Sequence, residues 1–107
     1  MSTEKQIKAY LPMSETAYYI LLSLMEHRHG YAIMQHVEAI TAGRVRLGAG
    51  TLYGTLGKME KSGLIAVIAE EQQRKVYGIT PAGRAVLEAE IRRIRELYKS
   101  SEGVRLK

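Results

Sequence analysis

The sequence predicts a mainly α-helical fold with one small β-hairpin, in the order helix, helix, helix, hairpin, helix. Three observations carry that expectation. Residues 50–65, GTLYGTLGKMEKSGLI, place Leu52, Leu56 and Met59 at helical spacing, followed by Gly63 and an apolar run. Residues 64–69 and 75–80 are β-rich runs separated by Glu-Glu-Gln-Gln-Arg, which reads as a hairpin with a polar tip. Thr80-Pro81 then sets an N-cap residue before a proline at the first helical position, opening a long amphipathic stretch.

The first helix is expected over residues 15–27, with Pro12 disfavouring helix before it and Ser14 as N-cap. Its core stripe is Ala17, Ile20, Leu21, Leu24 and Met25, while Tyr18, Tyr19 and Leu22 make the other side apolar as well. A helix apolar on two sides is buried on two sides, and so short a chain has little material to cover both. The second face is therefore read as an intersubunit surface. His29-Gly30 breaks the chain, and a second helix follows over residues 31–41 with Ile33, Val37 and Ile40 inward, ended by Ala42-Gly43. Residues 44–47 alternate arginine with apolar side chains, the pattern of a short extended segment.

The third helix is the most informative. Opposite Leu52, Leu56 and Met59 it offers Thr51, Tyr53, Thr55, Lys58 and Lys61, hydroxyls and cations with no carboxylate among them. Gly63 is placed to close it in a left-handed conformation. Such a face suits a phosphate backbone, and the free N–H groups of its first turn favour the same partner. In the last helix, expected to run from Pro81 to Tyr98 or Ser100, Leu87, Ile91, Ile94 and Tyr98 form a coiled-coil-like seam. Glu88 and Arg92 make an i,i+4 pair beside it. The whole order is that of a winged helix-turn-helix, with the third helix in the major groove and the hairpin against the backbone or in the minor groove.

Three segments in register, His-Gly-Tyr-Ala-Ile at 29–33, residues 50–65, and Arg-Lys-Val-Tyr-Gly-Ile-Thr-Pro-Ala-Gly at 74–83, resemble the PadR family of winged helix-turn-helix transcriptional regulators. The likeness runs from about Leu11 to the C-terminal helix, and the length resembles the short subclass with a single C-terminal dimerisation helix. The resemblance implies that Thr51 and Tyr53 contact DNA, with Gly50 and Gly54 admitting close backbone approach. Gly57 departs from the pattern, standing where a larger polar or basic residue is usual. The resemblance also implies a small aromatic or phenolic effector, for which Tyr18, Tyr19, Ile94 and Tyr98 are the candidate lining. Dry hydrophobic packing is the competing account of those residues.

Charge agrees with the nucleic-acid reading. Of a formal net charge of +5, the excess is concentrated in residues 44–84, which hold seven Lys/Arg against three Glu. Such a surface gains phosphate contacts through counterion release. Lys58 flanks the expected groove, and Arg74 and Lys75 stand at the wing tip. Lys61 is open between groove contact and a solvated face, as Arg44 and Arg46 are between backbone contact and an exposed strand. Glu70 and Glu71, just before the tip, imply that only one arm of the wing engages. The chain has neither cysteine nor aspartate, no phosphate-binding loop and no local Ser/His/carboxylate constellation, so an enzyme is not expected. His27, His29 and His36 fit no ligand spacing, so no metal or cofactor is expected, and His29-Gly30-Tyr31 reads as the hinge of the helix-turn-helix. The N-terminus carries no signal-peptide core, and the uncharged run at residues 16–25 is too short for a bilayer. A cytoplasmic protein with no membrane partner is the expectation.

The expected organisation is a DNA-binding region over residues 1–80, a dimerisation helix over 81–100 packed on it as one domain, and a flexible tail over 101–107. The dimer interface is assigned to Tyr18, Leu22, Leu87, Ile91, Ile94 and Tyr98. The expected function is a repressor binding double-stranded DNA at a palindromic operator as a homodimer and released by a small effector. The alternative is a winged-helix module that binds another protein and not DNA.

Overall fold

The computed structural model describes residues 3–106; Met1 and Ser2 of the expected DNA-binding region and Lys107 of the expected tail lie outside the described residues. In chain order the elements are α1 (Thr3–Tyr10), α2 (Glu15–Ser23), β1 (Arg28–His29), α3 (Gly30–Ile40), α4 (Ala49–Lys61), β2 (Ile65–Glu71), β3 (Arg74–Ile79) and α5 (Pro81–Ser101). The three strands form one antiparallel sheet in the order β1-β3-β2. This is the predicted mainly helical winged fold, with α1 and β1 added to it.

Ser14 caps α2 by accepting from the Ala17 amide at 3.1 Å. The helix stops at Ser23, short of the expected end at His27. Its exit is tightened by Leu24 and Met25 amides donating to the carbonyls of Leu21 and Leu22, each at 3.1 Å. The chain must then extend, because Arg28 and His29 pair with Tyr77 and Val76 of β3. Sheet pairing thus overrides helical propensity, and Met25, expected in the core, is exposed. Ile20, Leu21 and Leu24 are fully buried with Ile33 and Val37 of α3. Ile40, also expected inward, is 46% exposed, because it lies in the last turn of α3 where no neighbour covers it. Val45 and Leu47 are half-buried between exposed Arg44 and Arg46, so the predicted alternation holds without a strand partner.

Leu52, Leu56 and Met59 seat α4 on this core. Gly63 has φ +79° and ends the helix: its amide reaches the Glu60 carbonyl at 3.0 Å while the Leu64 amide reaches Met59 at 2.9 Å. Those two bonds satisfy carbonyls that the last turn leaves orphaned. The wing turns through Gln72 and Gln73, both with positive φ, so Glu71 faces Arg74 directly. Two consecutive left-handed residues match the right-handed twist of the strands they join.

Thr80 caps α5 by accepting from the Gly83 amide at 3.0 Å. The first half of α5 buries Gly83, Val86, Leu87 and Glu90; beyond Ile91 its apolar residues, Ile94, Leu97 and Tyr98, are exposed. The helix therefore projects past the core. The molecule measures 52 × 35 × 21 Å with a radius of gyration of 15.0 Å, where a compact chain of this length would have about 13 Å. The helix runs to Ser101, one residue into the stretch expected as a tail, and is followed by a turn.

Glu90 is the one charged side chain among the buried described residues, 1% exposed. It accepts from the Met13 amide at 2.9 Å and from Arg93 at 2.5 and 3.0 Å, tying the approach to α2 onto α5. This pair, rather than the expected Glu88–Arg92, is the ion pair the structure records on α5. The Arg93 hydrogen bond, helped by the Met13 amide, outweighs burial and holds the Glu90 carboxyl below its ordinary value of 4.5. A depressed folded pKa means stabilisation that is full above the unfolded value and lost as pH falls through the folded one. Glu90→Gln is expected to cost about 1–3 kcal/mol at pH 7. In denaturant titrations the gap from wild type should close progressively below pH 4.5; a gap constant down to pH 3 would show that Glu90 is not held ionised by the fold.

Candidate nucleic-acid interface

The exposed side of α4 is built by helical geometry. With Leu52, Leu56 and Met59 turned inward, Gly50, Thr51, Tyr53, Gly54, Gly57, Lys58 and Lys61 are all exposed. A Cβ added at Gly50, Gly54 or Gly57 would meet nothing within 4 Å, so the backbone is open at these three positions. The N-cap is Gly48 with no side-chain cap bond, so Thr51 does not cap the helix. Basic residues enter only in the last turn, at Lys58 and Lys61.

Tyr53 is 52% exposed, yet one side of its ring rests on the start of α3. A Cβ at Gly30 would strike the Tyr53 hydroxyl and lie 2.7 Å from the ring carbon Cζ, so only glycine admits the ring there. Tyr53 and the wing enclose an open cleft of about 610 Å³ lined by His29, Tyr31, Tyr53, Glu70, Arg74 and Lys75 among others. Arg74 and Lys75 are thus brought to the same concavity as Tyr53, the one α4 residue that lines it; Gly50, Thr51, Gly54 and Lys58 do not. Tyr31 and Tyr77, which sequence reasoning did not assign here, line it as well. The signal for Tyr31 is the His-Gly-Tyr segment, which reads as a hinge and not as part of a surface, and for Tyr77 the Arg-Lys-Val-Tyr run, of which only the two cations stand out. Burial raises the Tyr77 phenol above its ordinary value, with Glu60 and Tyr53 adding to the effect.

Two arginines left open by the sequence are partnered within the chain. Arg44 reaches Glu15 and the Tyr19 hydroxyl, and Arg46 pairs with Glu38 at 3.0 Å. The bond to Glu15 raises the Arg44 pKa and lowers that of Glu15. The histidines have structural partners. His29 caps α3 by accepting from the Ala32 amide at 3.3 Å, and His36 shares a 2.8 Å bond with Ser23. His27 lies so close to Gly78 that a Cβ there would come within 2.8 Å of its ring.

On the far side of the molecule, a cavity of about 460 Å³ lies between α2 and α5, lined by Met13, Glu15, Tyr18, Tyr19, Leu22, Glu90, Arg93 and Ile94. Tyr18 and Tyr19 meet edge to face with ring centroids 5.4 Å apart. Burial, then the charge of Tyr19 and Glu90, pushes the Tyr18 phenol up. Tyr98, expected with this group, is not among the lining residues and is 68% exposed a turn beyond Ile94. Leu22, Leu87 and Ile91 border a second, smaller hollow alongside Met25 and Arg84. Among the described residues no helix is long and apolar enough to cross a membrane.

Comparison with known proteins identifies what the chain resembles. A family model described as the transcriptional regulator PadR-like family matches residues 19–89. The chain is 40% identical over 62 residues to an uncharacterised 37.1 kDa protein in transposon TN4556 of Streptomyces fradiae, covering 58% of this chain and 17% of that protein. It is 35% identical over 79 residues to the transcriptional regulator Rv3488 of Mycobacterium tuberculosis, covering 71% of this chain and 61% of that one. It therefore spans less than two thirds of either curated relative. A transcriptional regulator from Clostridium thermocellum superposes with a TM-score of 0.70 at 26% identity, covering 94% of this chain and 99% of that chain.

Proposed function

We propose, from the premise that this chain belongs to the PadR-like family of transcriptional regulators, that it is a cytoplasmic repressor which binds a palindromic operator as a homodimer. The observation that carries the reading is the shared concavity of α4 and the wing. Tyr53 on one side and Arg74 and Lys75 on the other share the cleft, and Thr51 and Lys58, exposed on α4 outside its lining, extend the face offered to a groove and its flanking phosphates. Gly50 and Gly54 leave the α4 backbone open to close approach. Residues 1–80 would form the DNA-binding region, and α2 and α5 would join the two subunits, through Tyr18 and Leu22 of the one and Ile91, Ile94 and Tyr98 of the other; Leu87, expected with them, is 3% exposed and belongs to the subunit's own core. The cavity beside Tyr18, Tyr19 and Ile94 is the place for a small phenolic effector, whose leverage equals its differential affinity for the two dimer states. No enzymatic role enters this reading.

One observation favours the second reading, a module that binds protein and not DNA. The wing register sets Glu71 opposite Arg74 and Glu70 opposite Lys75, so the tip can neutralise itself. The two readings differ in salt dependence. Selection from a randomised duplex pool should recover a palindrome, and Arg74→Ala/Lys75→Ala should weaken binding to all duplexes alike. Two lost phosphate contacts should also reduce the slope of log affinity against log salt by about two. An unchanged affinity and slope would remove the wing from the DNA contact and leave its charges to pair with the glutamates.

A further inference from the structure

We infer that Gln6 and Tyr10, on the N-terminal helix α1, are positioning residues that fix the tilt of α4 and so the register of the two reading helices on DNA. The inference rests on the DNA-binding reading above. Nothing in the family match reaches α1, which precedes residue 19. An amphipathic pattern does not reveal it either, because its buried residue is polar: Gln6 is 6% exposed.

The burial of that amide has a purpose visible in its partner. Gln6 Nε2 donates to the Ser62 carbonyl at 2.8 Å, at the residue that caps the C-terminal end of α4. The Tyr10 hydroxyl donates to Ser62 Oγ at 2.8 Å and approaches the Lys58 carbonyl at 3.4 Å. From the other side, Thr80 Oγ1 donates to the Gly63 carbonyl at 2.7 Å and the Thr80 amide to Leu64 at 3.0 Å. Three successive carbonyls at the exit of α4 are therefore held, one by α1 and two by the residue that caps α5. Helix α1 itself packs against α5. The exit of the reading helix is thus clamped to the body that carries the proposed dimer helix, while its N-terminal end, with no side-chain cap at Gly48, is seated by Leu52, fully buried in the first turn.

The polar clamp therefore sets the tilt of α4 about Leu52. A helix of 13 residues is about 20 Å long, so a swing of about 15° about Leu52 moves its last turn, about 13 Å away, by about 3 Å. One base-pair step is about 3.4 Å. A loosened clamp would therefore let each reading helix wander by one step, and the dimer would lose its preference for one half-site spacing while still gripping phosphates.

The test uses the full chain with Gln6→Ala/Tyr10→Phe, which leaves the Tyr10 ring in place, and Tyr10→Phe alone as the milder variant. In the free protein, exchange of the Ser62, Gly63 and Leu64 amides should quicken roughly tenfold in the double variant, with the amides of α3 unchanged. On duplexes recovered by wild type from a randomised 30-base-pair pool, lengthening or shortening the spacer by one base pair should cost wild type about tenfold in affinity. The double variant, still dimeric, should lose less than about threefold. Unchanged exchange at the three amides overturns the clamp, and faster exchange with wild-type spacing preference reduces it to a structural contact and overturns the positioning role. A wild type that recovers no duplex would overturn the DNA reading itself, and the exchange measurement would still decide whether the clamp exists.

Discussion

Gly83→Ala is expected to destabilise the chain by about 3 kcal/mol, the largest effect of any single methyl added to it. A Cβ at Gly83 would collide with the carbonyl oxygen of Leu64 and lie 2.7 Å from Ile79 Cγ1 and 3.0 Å from the Leu64 carbonyl carbon. The obstruction is backbone at the junction of α4 and the wing, which cannot step aside as a flexible side chain would. That same Leu64 carbonyl accepts from Thr80, so displacing it also disturbs the start of α5. Gly57→Ala is the contrasting case: its Cβ would meet nothing, and replacing a helical glycine should stabilise by about 0.5–1 kcal/mol. Thermal melts at fixed protein concentration compare the two directly. A Gly83→Ala protein that melts with wild type would mean that α5 does not press on the α4–wing junction as described.

The second large effect concerns assembly. Ile94→Glu/Tyr98→Glu is expected to give folded monomers whose affinity for the operator is about 10²- to 10⁴-fold weaker, since each half-site must then be bound without the effective concentration supplied by the other. Both side chains are exposed in the single chain, at 37% and 68%, so charge there leaves the core intact. Burying two opposed carboxylates across a twofold axis, by contrast, is strongly unfavourable. Light scattering with circular dichroism checks both parts. A dimer of unchanged stability would place the interface elsewhere than on α5.

The parts of this molecule that could be read from the sequence are those where a local chemical rule and the tertiary structure agree. Leu52, Leu56 and Met59 recur at the helical period and are buried; Gly63 stands where a left-handed residue is required and has φ +79°; Thr80-Pro81 opens a helix. The wing was legible because two β-rich runs flank a polar tip. What stayed hidden was set by distant partners. Helix α1 buries a glutamine most deeply, with Ile7 and Tyr10 only partly covered against the core, and β1 consists of two residues whose only reason to extend is pairing with β3. That pairing also cut α2 short and left Met25 exposed. Arg44 and Arg46 were read for their charge, but Glu15 and Glu38, remote in sequence or on a neighbouring element, partner them. The candidate site divides along the same line. Its α4 residues could be listed from one segment, whereas Tyr31 and Tyr77 join the cleft only once α3 and β3 are folded beside it.

The central claim, that α4 and the wing bind DNA and that α4 reads its sequence, is tested most directly by the affinity of the wild-type protein for a selected palindromic duplex and for a scrambled duplex of the same composition, across a salt series. The account predicts a preference for the palindrome of about 10³-fold or more near physiological salt, with both affinities falling steeply as salt rises. Equal affinity for the two duplexes would contradict sequence reading by α4, and binding to neither would contradict the assignment of this surface to DNA.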